Sequence, residues 1–219
     1  MSILKKITIL IIGLLICQLA NGQSKIYVGV GLTRSDVFAV EHFALMHSDM
    51  FSNEFAFKPN HFAEVFAGAS IKLGEKWIWS PQVTLSRYGA HVPIDQVDDK
   101  FDYRVGFIRL DNLIQYRFSE KWNFGLSPSL YQVFHASFKP LIGFDTSGEF
   151  AYNQMKDFIL TDFTRFGLGV LYRLEYNLAG NFDLYINFYN DITSIGRFRT
   201  SNSKYWLNFA YGLGMIYRL

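Results

Sequence analysis

The sequence predicts an all-β protein: a closed, eight-stranded, antiparallel up-and-down transmembrane β-barrel with short periplasmic turns and long extracellular loops. Three observations predict it. A two-residue rhythm recurs eight times, with large apolar side chains on one face and small or polar ones on the other. All eight segments share this character, so no second apolar layer is left to cover the greasy faces as a soluble sandwich would require. Short and long connections alternate strictly, as in outer-membrane barrels.

The clearest segment is the last, residues 205–219 (YWLNFAYGLGMIYRL), where Leu207, Phe209, Tyr211, Leu213, Met215, Tyr217 and Leu219 oppose Trp206, Asn208, Ala210, Gly212, Gly214, Ile216 and Arg218. From the start of the chain, segment one (25–33) sets Ile26, Val28, Val30 and Leu32 against Tyr27, Gly29 and Gly31. Segment two (62–73) sets Val65, Ala67, Ala69, Ile71 and Leu73 against Glu64, Ser70 and Lys72. Segment three (77–86) opposes Trp77, Trp79, Pro81, Val83 and Leu85 to Ser80, Gln82, Thr84 and Ser86. Segment four (104–118) opposes Ile108, Leu110, Ile114, Tyr116 and Phe118 to Arg109, Asp111, Gln115 and Arg117, with Asn112 and Leu113 out of pattern. Segment five (122–131) has Trp122, Phe124, Leu126, Pro128 and Leu130 against Asn123, Gly125, Ser127 and Ser129. Segment six (166–178) has Leu168, Val170, Tyr172, Leu174 and Tyr176 against Gly167, Gly169, Arg173 and Glu175. Segment seven (182–191) has Leu184, Ile186 and Phe188 against Asp183, Tyr185, Asn187 and Asp191. Each is near or above the roughly 9 to 11 residues a tilted membrane strand needs.

The connections set the orientation. Gly74-Glu75-Lys76, Ser119-Glu120-Lys121 and Ala179-Gly180-Asn181 read as tight turns, whereas residues 35–61, 90–103, 132–165 and 192–204 are long connections. An even strand number then puts both ends of the barrel domain on the periplasmic side. Trp77, Trp122 and Phe182, each just past a turn, together with Tyr217 form an aromatic girdle at the inner interface.

Residues 1–22 read as a signal peptide: Lys5 and Lys6 precede an apolar run over 7–19, and Ala20-Asn21-Gly22 offers a small-residue cleavage site before Gln23. The run is too short for a spanning helix, which needs roughly 20 apolar residues. The barrel domain is then residues 23–219, and losing Lys5 and Lys6 takes the formal charge from +2 to zero. A near-neutral chain is no match for nucleic acid. The single cysteine, Cys17, leaves with the leader, so no disulfide is expected. At 50% apolar and 18% aromatic against 18% charged, the composition suits a chain facing oil on one side.

Eight strands leave an interior just wide enough for side chains. The inward ionisable groups are Glu64, Asp111, Glu175, Asp183 and Asp191 against Lys72, Arg109, Arg117, Arg173 and Arg218, a balanced set read as a salt-bridged plug. No phosphate-binding glycine loop, zinc spacing or nucleophile elbow occurs, so neither an enzyme nor a cofactor is expected.

Over residues 107–118, FIRLDNLIQYRF resembles a strand of the PorT-type small outer-membrane barrels of Bacteroidota, with Arg109 where that group has an acid and Asp111 where it has proline. The terminal GLGMIYRL and the Gln after the leader are similar to that group too. The resemblance implies insertion by the barrel-assembly machinery with the terminal strand as its signal, among outer-membrane lipids and lipopolysaccharide. The secretion role known for PorT is not carried over.

Two features remain. His135 and Ser137, two apart and so on one face at the rim of segment five, resemble the His-x-Ser pair of outer-membrane lipid A deacylases, with Phe138 where that motif has Asn. They are read as rim residues, with lipid A deacylation as the alternative. The first long connection carries Phe38, Phe43, Met46, Met50, Phe51, Phe55 and Phe57, too many large apolar groups for a solvated loop. It reads equally as a lid over the barrel or as a docking surface for another outer-membrane protein. Glu41, His42, His47 and Asp49 in it are metal-ligand types, but so scattered a set is not taken as a metal site. The function expected is therefore a non-enzymatic structural or accessory subunit of an outer-membrane complex, against a lipid A-modifying enzyme or a narrow channel or small-ligand binder.

Overall fold

A computed structural model describes residues 24–40, 58–93, 100–140, 166–193, 197–198 and 204–219, and the side chains of most of them. The strands are β1 (Ser24–Val40), β2 (Lys58–Lys72), β3 (Trp77–Pro93), β4 (Lys100–Arg117), β5 (Trp122–Pro140), β6 (Phe166–Ala179), β7 (Phe182–Asp191), a two-residue β8 (Arg197–Phe198) and β9 (Lys204–Arg218). Each long strand pairs antiparallel with its predecessor, β9 pairs with β7, and β1 pairs with β9 from Tyr27↔Arg218 to Val40↔Tyr205. That last ladder closes eight long strands into a barrel without a free edge. β8 lengthens the sheet above β9 and takes no part in closure.

Alternation along the strands sorts side chains as the sequence pattern requires. In β7 exposed and buried residues alternate from Phe182 to Asp191, and in β1 Ile26, Val28, Val30 and Leu32 are exposed around buried Tyr27. The outer wall is apolar round its whole circumference: Leu32 and Leu213 are each 67% exposed, and Leu130 is 53% exposed. Ala69, Ile71 and Pro81 depart from this, lying buried on outward positions of β2 and β3; Ile71 stands directly across from the bulky Trp79.

Tight connections occur at one end, the turn end. Gly180, at φ 58°, takes the left-handed conformation that lets the β6–β7 turn close in two residues. At the opposite, loop end the strands run further than the hydrophobic rhythm suggested. β3 continues to Pro93 and β5 to Pro140, so residues 132–140, expected in a long connection, are wall. The rhythm reports where side chains meet an apolar phase, whereas backbone pairing continues beyond it wherever neighbouring strands remain side by side.

A β-bulge in β5 falls in that extension. β5 pairs with β4 as Gly106↔His135 above it and Phe107↔Val133 below, leaving Phe134 as the extra residue. Because one extra residue reverses the facing of everything beyond it, His135 and Ser137 join the outward row of Gly106 and Arg104.

Candidate functional site

The lumen is filled by a hydrogen-bonded ring. Arg109 donates from Nε to Asp111 Oδ1 at 2.7 Å and from Nη2 to Glu64 Oε2 at 3.4 Å. Asn187 Nδ2 donates to the other Glu64 oxygen at 2.9 Å and accepts from Arg173 Nε at 2.8 Å. Arg173 Nη1 reaches Gln82 Oε1 at 2.7 Å, and Gln82 Nε2 returns to Asp111 Oδ2 at 2.9 Å. The circuit thus ties β2, β3, β4, β6 and β7 together across the barrel interior. Thr84 and Ser129 donate to the same Asp111 carboxylate at 2.7 and 2.5 Å, giving it the several partners a buried anion requires.

The two arginines at the centre are also stacked. The Arg173 guanidinium lies 4.3 Å from the Phe66 ring centroid and 5.1 Å from that of Tyr185, and Arg109 lies 4.4 Å from that of Tyr189. These rings fit because glycines stand beside them: a Cβ on Gly29 would fall 2.1 Å from the Phe66 ring, and one on Gly169 would fall 2.2 Å from the Tyr189 hydroxyl.

Above the ring, toward the loop end, Tyr88, Phe107, Tyr131 and Tyr189 form an aromatic layer with centroid separations of 5.2 to 5.5 Å. Arg109 also donates to the Tyr88 hydroxyl, joining the two layers. Asp191 accepts from Tyr189 at 2.8 Å and from the Asn208 side chain at 2.8 Å. Below the ring, Arg218 donates to Asp183, to Glu175 Oε2 at 2.8 Å and to Ser70 at 2.7 Å.

Of the ten ionisable residues assigned to the lumen, eight are thus buried or half-buried within these layers, while Lys72 and Arg117 are not brought in. Lys72 is exposed and Arg117 half-buried; both line a cavity of about 690 Å³ at the turn end, together with Lys25 and Glu120. Asp183 and Arg218 line the same cavity. Lys72 and Arg117 both end their strands, where the mouth opens to water and an ammonium or guanidinium is solvated.

Gln82, Asn187, Thr84 and Ser129 were readable as inward positions, but not as the links between ions separated along the chain. The pairing of inward glycines with inward aromatics on neighbouring strands was the available signal for the packed rings.

The girdle residues are exposed at the turn end, and each of the three that follow a turn packs on a tyrosine of the next strand in the ladder. Trp77 meets Tyr116 at 5.0 Å, Trp122 meets Tyr176 at 4.7 Å, and Phe182 meets Tyr217 at 5.0 Å between centroids. Lys76 and Lys121 cover the first two tyrosines at 6.0 and 5.9 Å.

The remaining candidates fall elsewhere. His135 is exposed and Ser137 half-buried, and the bulge puts both on the outer wall, where they share the row of Gly106 and Arg104. Phe38 belongs to β1, opposite Leu207, with its side chain outside the described set. Phe43, Met46, Met50, Phe51, Phe55 and Phe57, the metal-ligand types between Glu41 and Asp49, and the leader all lie outside the described residues. Among the described residues no cluster of metal-ligating side chains occurs.

Fold and interior together define a class: a closed eight-stranded antiparallel barrel, apolar outside and plugged by a polar network. Comparison with family models gave no match, and comparison with curated proteins gave none. Among solved structures the chain is similar to the attachment invasion locus protein Ail of Yersinia pestis, at 10% identity over 90% of this chain and 99% of that one, with a TM-score of 0.46. It is similar to the outer membrane protein OprG of Pseudomonas aeruginosa at 10% identity over 90% and 96% of the two chains, with a TM-score of 0.45. Neisserial surface protein A aligns at 14% identity over 89% and 97%, with a TM-score of 0.37.

Proposed function

We propose that this chain is an integral outer-membrane barrel acting as a non-enzymatic accessory subunit of an envelope complex, with loop-end aromatics as its docking surface. The observation that carries the reading is the inversion of polarity: exposed leucines, isoleucines and phenylalanines ring the outside, and hydrogen-bonded ions fill the inside. Soluble monomers rarely expose an apolar surface of that extent. On β9 the outward row from Phe209 to Leu219 spans about 34 Å along the strand, or about 26 Å along the axis at a tilt of about 40°, close to the apolar band of such barrels.

A plugged lumen supports a scaffold over a pore, since every route through the middle crosses the Arg109–Asp111–Gln82–Arg173 circuit. Kinship with PorT-type barrels, export through a cleaved leader and insertion by the barrel-assembly machinery belong to the same proposal. The test is isolation from gently solubilised outer membranes, followed by identification of what co-purifies, for the parent and for a variant lacking residues 38–57. Loss of a specific companion in the deletion supports docking. Steady conductance of the parent in planar bilayers would favour the channel reading instead.

A further inference from the structure

The cavity of about 690 Å³ at the turn end is of small-ligand size. Lys25 takes the first inward position of β1, Lys72 and Arg117 take the last of β2 and β4, and all three line it. Among the described residues, none of these three side chains makes an ion pair or hydrogen bond. The fourth cation of the lining, Arg218, is already held by Asp183 and Glu175. Glu120, in the β4–β5 turn, is the acid of the lining left outside such a pair, and Glu75 in the β2–β3 turn is off the lining. Three cations against Glu120 leave two positive charges unopposed around the mouth.

That charge falls in two places. Lys25 pairs with Ser70, the inward residue before Lys72, so the two lysines are diagonal neighbours. Ile78 is buried between Lys72, its partner on β2, and Gln115, its partner on β4. Arg117 is the next inward residue after Gln115, two strands and about 10 Å from Lys72.

The β4–β5 side also carries unmatched hydrogen-bonding groups. Asn123, across from Arg117, lines the cavity, and its Oδ1 is buried without a partner. Gln115, one inward position deeper than Arg117, is fully buried with Nε2 likewise unpartnered. A buried polar atom without a partner is costly, so a group that supplies one is favoured there.

We propose that this mouth binds an extended peptide segment with carboxylates at alternate positions. Two carboxylates match the two unopposed positive charges. Acidic residues two apart on an extended chain share a face about 7 Å apart, and the long lysine and arginine side chains cover the difference in spacing. The peptide units between them supply an N–H for Asn123 Oδ1, a donor that a simple dicarboxylate lacks. The site stands on the cavity and its charges; a periplasmic source for the peptide rests on the membrane-spanning reading above.

The experiment uses the chain from Gln23 onward, folded in a zwitterionic detergent and titrated under amide NMR. The probes are acetylated, amidated Glu-Gly-Glu, its Gln-Gly-Gln counterpart and glutarate. An ion pair at an open site contributes up to about fivefold in affinity, so at low salt the acidic peptide binds about twentyfold more tightly than the neutral one. Lys72→Gln with Arg117→Gln removes that preference and, because neither side chain has a partner to lose, leaves the urea midpoint at the parent's value. Asn123→Leu keeps the preference for charge but erases the peptide's advantage over glutarate. Arg34→Gln with Arg87→Gln, exposed at the loop end, leaves both unchanged.

Equal binding of the acidic and neutral peptides overturns the proposal, as does a double variant at Lys72 and Arg117 that keeps the parent's preference. Glutarate bound as tightly as the acidic peptide overturns the assignment to a peptide. Insertion into phosphatidylcholine vesicles is scored separately. A chain that binds the peptide in detergent but fails to insert removes the periplasmic source and leaves the site, whereas insertion without peptide preference removes the site alone.

Discussion

Arg109 is the residue whose loss should cost the barrel most. It is buried beside two carboxylates, Asp111 at 2.7 Å and Glu64 at 3.4 Å. Arg109→Met keeps much of the side chain's bulk against Tyr189 but leaves both acids without their shared cation. Breaking a buried ion pair by removing one member costs about 3 to 5 kcal/mol. Asp111 keeps its bonds from Gln82, Thr84 and Ser129, and Glu64 keeps the one from Asn187, so the lower end, about 3 kcal/mol, is expected. The assay is urea unfolding in lipid vesicles, followed by tryptophan emission. At a slope of about 2 kcal/mol per molar the midpoint falls by about 1.5 M. The triple variant Glu64→Gln, Arg109→Met, Asp111→Asn removes the charges together and should regain at least half of that loss, since a buried triad is replaceable by neutral groups. A single variant unfolding with the parent, or a triple variant weaker than the single, would refute the view that these charges hold one another in place.

Other perturbations probe the wall and its packing. Leu213→Arg puts a cation on the most exposed part of the outer band and should cost about 2 to 4 kcal/mol in the same unfolding assay; a variant that inserts and unfolds like the parent would reverse the inside and outside faces. Gly169→Ala drives a methyl into Tyr189 and should destabilise by about 1 to 3 kcal/mol, with Tyr189→Leu restoring part of it. A double-mutant cycle on Trp122 and Tyr176, 4.7 Å apart, should return a coupling of about 0.5 to 1.5 kcal/mol. Lipid A incubated with the purified protein should keep all its acyl chains; acyl loss abolished by Ser137→Ala would establish the deacylase reading instead.

The strands and their facing were legible because lipid-style alternation is local. Ile26 to Leu32, or Phe182 to Asp191, can be sorted from neighbours two residues away, and the three tight turns announce themselves in composition. The ring in the lumen was legible only as a set of inward charges. Which cation meets which acid depends on strand stagger around a closed wall, and nothing local distinguishes Arg109, at the centre, from Arg117, at the mouth. The girdle was half legible: Trp77 and Trp122 follow turns, but Tyr116 and Tyr176 join them only through cross-strand register.

What the chain determined by itself is its division into oil-facing and interior rows, because that needs only a period of two and the side-chain chemistry at each step. Tertiary structure decided three things that period cannot carry. Closure between β1 and β9 set which ions share a layer, the bulge at Phe134 moved His135 and Ser137 to the outer wall, and lateral register put Trp77 across from Tyr116 and Trp122 across from Tyr176. Each depends on how far one strand is shifted against another, and that shift is set by the geometry of a closed hydrogen-bonded cylinder rather than by any single segment.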